Sequence, residues 1–152
     1  MKDFLTPDYM FATFDKVTPD FLQSIGVRAL LIDIDNTLAP YEEPDPNQTI
    51  LDWFDTLKKN GICVALVSNN HAPRVERFNK PLGLIAYPDS GKPGRKTLER
   101  AMRELGVTHA ETAMLGDQLL TCLLVSWPHF HTLTSKCHTH CVLFSMAVYP
   151  RP

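Results

Sequence analysis

The stretch Val27-Arg28-Ala29-Leu30-Leu31-Ile32-Asp33-Ile34-Asp35-Asn36-Thr37-Leu38 decides how this chain is read. Its first half is a short apolar run bounded by Gly26 and by polar residues, the pattern of a strand buried in a parallel sheet. Its second half sets two carboxylates, Asp33 and Asp35, where that strand ends. In an open α/β sheet ligands bind beyond the carboxyl ends of the strands, so the pair belongs to a site rather than to a solvated face. Idle ionised carboxylates this close would repel each other, and a divalent cation or a proton shared with a substrate removes the repulsion. The plainer alternative is a strand-to-turn junction in which Asp forms the turn and Asn36-Thr37 makes a local cap.

Outward from this strand, apolar runs alternate with helical patterns. Upstream, Phe4, Tyr9, Phe11 and Phe14 are placed to cover one edge of the sheet, and Thr18-Pro19-Asp20-Phe21 opens a short helix that Gly26 ends. Downstream, Asp45-Pro46 opens a helix in which Ile50, Leu51, Trp53, Phe54 and Leu57 recur at helical spacing before Gly61, a stripe that reads as core packing. Ile62 to Val67 is a second strand containing Cys63, expected to be a buried thiol, and Ser68-Asn69-Asn70 stands at its carboxyl end. Asn70 is expected to cap a helix to about Asn79, and Leu82 to Tyr87 is a third strand before the turn Pro88-Asp89-Ser90-Gly91. After Lys92-Pro93 comes a helix with Leu98, Ala101, Met102 and Leu105 on one face, stopped by Gly106. Thr108-His109-Ala110-Glu111 reads as a capping-box turn with His109 exposed, and Thr112 to Leu115 is a fourth strand ending at Gly116-Asp117. The alternation predicts βαβ units in a parallel sheet covered by helices on both faces.

Asp33-x-Asp35-x-Thr37 after an apolar strand resembles motif I of the haloacid dehalogenase (HAD) superfamily of phosphohydrolases. Ser68 matches motif II, Lys92 in Lys-Pro matches motif III, and Asp117 in Gly-Asp matches motif IV, in the superfamily's order. Asp-Asn-Thr-Leu, Val-Ser-Asn-Asn, Lys-Pro and Gly-Asp-Gln-Leu-Leu-Thr bring the chain closer still to the YqeG-type phosphatases of subclass IIIA, to which mitochondrial phosphatidylglycerophosphate phosphatases are related. The resemblance runs over roughly residues 3 to 121.

It implies a Rossmann-like HAD fold and a Mg²⁺-dependent phosphomonoester hydrolase. By the family's mechanism Asp33 attacks phosphorus to form an aspartyl phosphate, and Asp35 is the general acid and base. Ser68 and Asn69 donate to phosphoryl oxygens, while Lys92 offsets charge on the phosphate and on Asp33, with Lys96 a weaker substitute. Asp33, the backbone carbonyl of Asp35, and Asp117 form an all-oxygen site for Mg²⁺.

The chain from Asp33 to Ser68, and from Ser68 to Lys92, holds only helix, strand and loop, which leaves no room for a cap domain. The resulting open site suits a phosphorylated macromolecule, a lipid phosphate or a partner-covered substrate better than a small metabolite.

The family pattern breaks at Cys122, where a second Asp is expected; a thiol is a poor magnesium ligand. Residues 122 to 152 contain no Asp or Glu, three of the four Cys and four of the six His. We therefore divide the chain into a HAD-like phosphatase domain, 1–121, and an atypical tail, 122–152, read as a non-native ending from a shifted reading frame after Thr121. In this tail the family's last helix and strand are not recognisable. A second reading, a zinc site from His129, His131, Cys137, His138, His140 and Cys141, lacks any familiar ligand spacing.

The formal charge of -2 and pI near 6.3 provide no basic footprint for nucleic acid. Neither a signal-peptide pattern nor a membrane-spanning stretch occurs, so the expected location is the cytoplasm. Two rivals stand beside the phosphatase. One is a catalytically impaired HAD-like binding protein, motivated by Cys122 and the tail. The other is a phospho-acceptor receiver-like domain, whose acidic pair and phospho-acceptor come from different strands, whereas Asp33 and Asp35 share one strand end.

Overall fold

Leu30, Leu31 and Ile32 are wholly buried, and alternate residues of their strand face different cores. This is what a strand covered on both sides requires. The computed structural model describes residues 8–92, 94–116 and 131–136. Phe4, Pro93, Asp117, Cys122, His129, Cys137, His138, His140 and Cys141 lie outside them.

The described elements are β1 (Tyr9–Thr13), a 3-10 turn (Phe14–Lys16), α1 (Pro19–Ser24), β2 (Ala29–Ile32), α2 (Gln48–Lys59), β3 (Cys63–Val67), α3 (Ala72–Asn79), β4 (Ile85–Tyr87), α4 (Lys96–Leu105), a second 3-10 turn (His109–Glu111), β5 (Thr112–Gly116) and β6 (His131–Lys136). The strands form one sheet in the order β1-β6-β5-β2-β3-β4, with every pairing parallel. After β4 the chain crosses back to lay β5 on the other side of β2, so the topological switch point lies between β2 and β5. Ligands bind at such a crevice in α/β sheets.

One face of the sheet packs Leu30, Ile32, Leu66 and Leu115 against α2 and α3, through Trp53, Phe54, Leu57, Val75 and Phe78. The other packs Leu31, Ala65, Val67 and Met114 against Leu98, Ala101 and Met102 of α4. The aromatic stripe of α2 is core as expected, and the Trp53 indole N–H is satisfied by the Val17 carbonyl at 2.9 Å. Gly106 ends α4 in the left-handed conformation, φ +69°.

The structure corrects several local expectations. The helix expected from Asp45-Pro46 begins later, capped by the Asn47 side chain on the Ile50 N–H, because an Asn side chain satisfies a free first-turn donor. Helix α3 is preceded by His71 rather than by Asn70 at the cap. Cys63 is exposed, since it starts β3 where the strand emerges from its cover. His109 is half-buried, although its capping box forms between Thr108 and Glu111.

Two strands were not anticipated. The N-terminal aromatics do not merely cover an edge: Tyr9 and Phe11 stand in β1 and pack edge-on against Phe21 at 5.0 and 5.1 Å. Residues of the tail form β6, which pairs with β5 on one side and β1 on the other. His131, one of the possible metal ligands, is half-buried in that strand near the Tyr9 ring. The strand is built on backbone pairing and on the buried Thr132 and Leu133, with Asp8 accepting from the Thr132 N–H at 2.9 Å. Among the described residues no helix is long and apolar enough to cross a membrane.

Candidate active site

Asp33 is still part of the sheet: its N–H donates to Leu115 O of β5 at 3.0 Å. Its side chain stands at the carboxyl end of β2, where it is only 7% exposed. One carboxylate oxygen, Oδ1, accepts the Ile34 N–H at 2.9 Å, and Oδ2 lies 3.2 Å from Lys92 Nζ. Burial pushes the Asp33 carboxyl up from its ordinary value, and the Lys92 ammonium opposes that push. Lys92 is anchored in turn, donating from Nζ to the Val67 carbonyl at 2.8 Å.

Lys92 reaches this position on the loop after β4, which is fastened to the loop after β3. Asn69 Oδ1 accepts from Ser90 Oγ at 2.7 Å and from the Lys92 N–H at 2.8 Å, while its Nδ2 donates to Lys92 O at 3.0 Å. The Ser90 N–H donates to Ser68 O at 2.9 Å. Asn69 thus holds the lysine loop, a different use from the phosphate donor expected of it. Ser68 is buried, and its Oγ accepts the Asn70 N–H at 3.1 Å.

Asp35 stands on a tight turn. Asn36 takes a left-handed conformation, φ +60°, which Asn tolerates better than most residues, and its N–H donates to Ala39 O at 2.8 Å. The Asp35 carboxylate is held from two sides. Oδ1 accepts from Arg74 Nε at 3.2 Å and Nη2 at 3.1 Å, and Oδ2 accepts from Asn70 Nδ2 at 2.9 Å. Asn70, expected as a helix cap, therefore spends its side-chain donor on Asp35.

The structure brings Asp33, Asp35, Ser68, Asn69 and Lys92 to one end of the sheet, on the loops after β2, β3 and β4. Asp117, directly after Gly116 of β5, lies outside the described residues. Lys96 is exposed on the first turn of α4, and it is Lys92 that pairs with Asp33. From Asp33 to Lys92 the chain contains α2, β3, α3, β4 and their loops, with no cap domain. Cavities of about 610 Å³ beside Met102 and His109, and about 760 Å³ beside Asp45 and Arg77, are not lined by these residues.

The oxygen donors at this end, the Asp33 carboxylate and the Asp35 backbone carbonyl, have the chemistry of a hard divalent cation's ligands. Among the described residues no three His, Cys, Asp or Glu side chains cluster so as to hold a metal. What sequence reading missed is Arg74. It is one of several basic residues in and after α3, and only the fold turns it toward Asp35.

The family model for haloacid dehalogenase-like hydrolases matches residues 6–120. The chain belongs to that family. Within it, the probable phosphatase YqeG of Bacillus subtilis (strain 168) is 35% identical over 124 residues, covering 82% of this chain and 72% of the relative. The chain is accordingly a HAD phosphatase. CbbY of Rhodobacter sphaeroides, solved with phosphate, shares the HAD fold at TM-score 0.58 and 15% identity, over 75% of this chain and 89% of that one. The phosphatase-containing N-terminal part of a Bacteroides fragilis protein, solved with Mg, aligns at TM-score 0.57 and 17% identity, over 73% of this chain and 36% of that one. HAD phosphatases typically use a divalent metal.

Proposed function

We propose that this HAD phosphatase hydrolyses phosphomonoesters through a covalent aspartyl phosphate on Asp33, with Mg²⁺ as its metal. The observation that carries the reading is the buried Asp33–Lys92 pair at the switch point, with Asp35 two residues further on.

In the first step an Asp33 carboxylate oxygen bonds to phosphorus as the ester P–O bond breaks, and its electron pair leaves on the alcohol oxygen. Asp35 supplies the proton which that oxygen needs. Lys92 stabilises charge on the phosphoryl group, and the buried Ser68 hydroxyl donates to one of its oxygens. In the second step water attacks phosphorus, the bond to Asp33 breaks, and Asp35 takes the water proton. The Asp33 carboxylate, the Asp35 backbone carbonyl and Asp117 would hold Mg²⁺, which would supply charge shielding between an anionic carboxylate and an anionic phosphate.

Because no cap separates Asp33 from Lys92, we infer a substrate phosphate carried on a larger molecule, a macromolecule or a lipid. An uncapped site grips little of a small ester beyond its phosphate.

The test is hydrolysis of an aryl phosphate with and without Mg²⁺, by the full chain and by Asp33→Asn, with acid-quenched protein examined by mass spectrometry. Turnover that needs both metal and Asp33, with a phosphoryl adduct on the Asp33 peptide, supports the reading. Turnover that survives Asp33→Asn sinks it. A strong preference for one small sugar phosphate counts against the larger substrate.

A further inference from the structure

Arg74 lies outside every motif that identifies the family, yet its guanidinium is almost fully committed at this end of the sheet. The side chain is 10% exposed. Nε and Nη2 converge on Asp35 Oδ1, Nη2 also donates to Pro40 O at 3.1 Å, and Nη1 donates to Glu43 O at 2.5 Å. Its carbon centre lies 5.2 Å over the ring of Phe78, which is fully buried.

A surface ion pair leaves both partners free to swing. This one is restrained from several sides, because the guanidinium lies over the Phe78 ring and also donates to two backbone carbonyls. The Asn70 amide then closes on the other carboxylate oxygen, so Asp35 is held at both oxygens. The same guanidinium binds the loop that follows motif I, where the Tyr41 side chain is exposed.

We propose that Arg74 is the positioning residue for Asp35, locking the carboxylate's rotation and tying it to the Pro40–Glu43 loop. This rests on the reading of Asp35 as general acid and base. Arg74 makes no contact with substrate in this role; it acts through Asp35.

The consequence is specific to the leaving group. An alkoxide needs a proton as its bond to phosphorus breaks, whereas a dinitrophenolate leaves without one. A wandering acid therefore penalises alkyl esters more than activated aryl esters. A residue that merely stabilises the fold penalises both alike.

The experiment compares kcat/KM for ethyl phosphate, by phosphate release, and for dinitrophenyl phosphate, by absorbance. Arg74→Met keeps an unbranched chain over Phe78; Arg74→Lys keeps the charge and most of the packing, and serves if the Met variant does not fold. General acid catalysis is worth about 10²- to 10⁴-fold, so partial misplacement is expected to cost the alkyl ester roughly 10- to 100-fold more than the aryl ester. In an Asp35→Asn background the same substitutions are expected to leave the ratio of the two esters unchanged. Equal losses on both esters overturn the proposal, as does a further change in the ratio once Asp35 is already Asn. Hydrolysis that survives Asp33→Asn overturns the phosphatase mechanism and this proposal together, whereas Asp33-dependent hydrolysis with equal losses overturns the Arg74 assignment alone.

Discussion

Asn69→Ala tests whether one amide holds the lysine loop in place. The substitution removes three hydrogen bonds, from Ser90 Oγ at 2.7 Å, from the Lys92 N–H at 2.8 Å, and to Lys92 O at 3.0 Å. At about 1 kcal/mol net for each bond, the closed loop loses at most about 3 kcal/mol. Two effects reduce the share that reaches the rate. Asn69 is exposed, so water replaces part of what is lost. Lys92 Nζ also keeps its own anchors on Val67 O and Asp33. If about half the loss falls on the reacting arrangement, about 1.5 kcal/mol, kcat drops roughly tenfold. The assay is steady-state hydrolysis of an aryl phosphate, with inhibition by inorganic phosphate measured alongside. A clamp lowers kcat, whereas a direct phosphate donor would mainly weaken phosphate binding. A kcat within twofold of the parent, or a loss confined to phosphate affinity, would refute the clamp.

Three further outcomes are expected. Among the described residues the Thr37 hydroxyl is buried without a hydrogen-bond partner, so Thr37→Val is expected to be neutral or to raise stability by up to about 1 kcal/mol in urea unfolding; a clear loss would show that the hydroxyl is satisfied. Phe78 is fully buried beneath Arg74, and Phe78→Ala is expected to cost about 3 to 5 kcal/mol in the same measurement, a loss under about 1 kcal/mol contradicting its core position. Hydrogen bonds from Arg28 and then Thr108 hold the Glu111 carboxyl below its ordinary value. A depressed carboxyl stabilises the fold above its unfolded pKa, and that contribution is lost as pH falls through the folded value. Arg28→Gln is therefore expected to make the acid side of the Tm-versus-pH curve slightly shallower, Arg28 being largely solvated and Glu111 partly so, and an unchanged curve would show that the pair contributes nothing to acid stability.

Much of the fold was legible because its signals are local. An apolar run with carboxylates at its end, an amphipathic stripe from Ile50 to Leu57 and a Gly after Leu105 each act within a few residues of themselves. Strand β1 was missed because its pairing partner lies far along the chain. Strand β6 was missed because its environment, between β5 and β1, is set by neighbours remote in sequence. Cys63 shows the same limit: apolar neighbours in sequence did not make the strand's first residue buried.

By itself, the sequence determined the parallel α/β architecture, the order of the motif residues and the absence of a cap between Asp33 and Lys92. All follow from patterns and spacings along the chain. The approach of Lys92 to Asp33 was expected and is present at 3.2 Å, but only the tertiary structure decided Asn69 on the Lys92 loop and Arg74 with Asn70 on Asp35. Hydrogen bonds and ion pairs depend on distance and direction across loops, and those are set when β2, β3 and β4 come side by side.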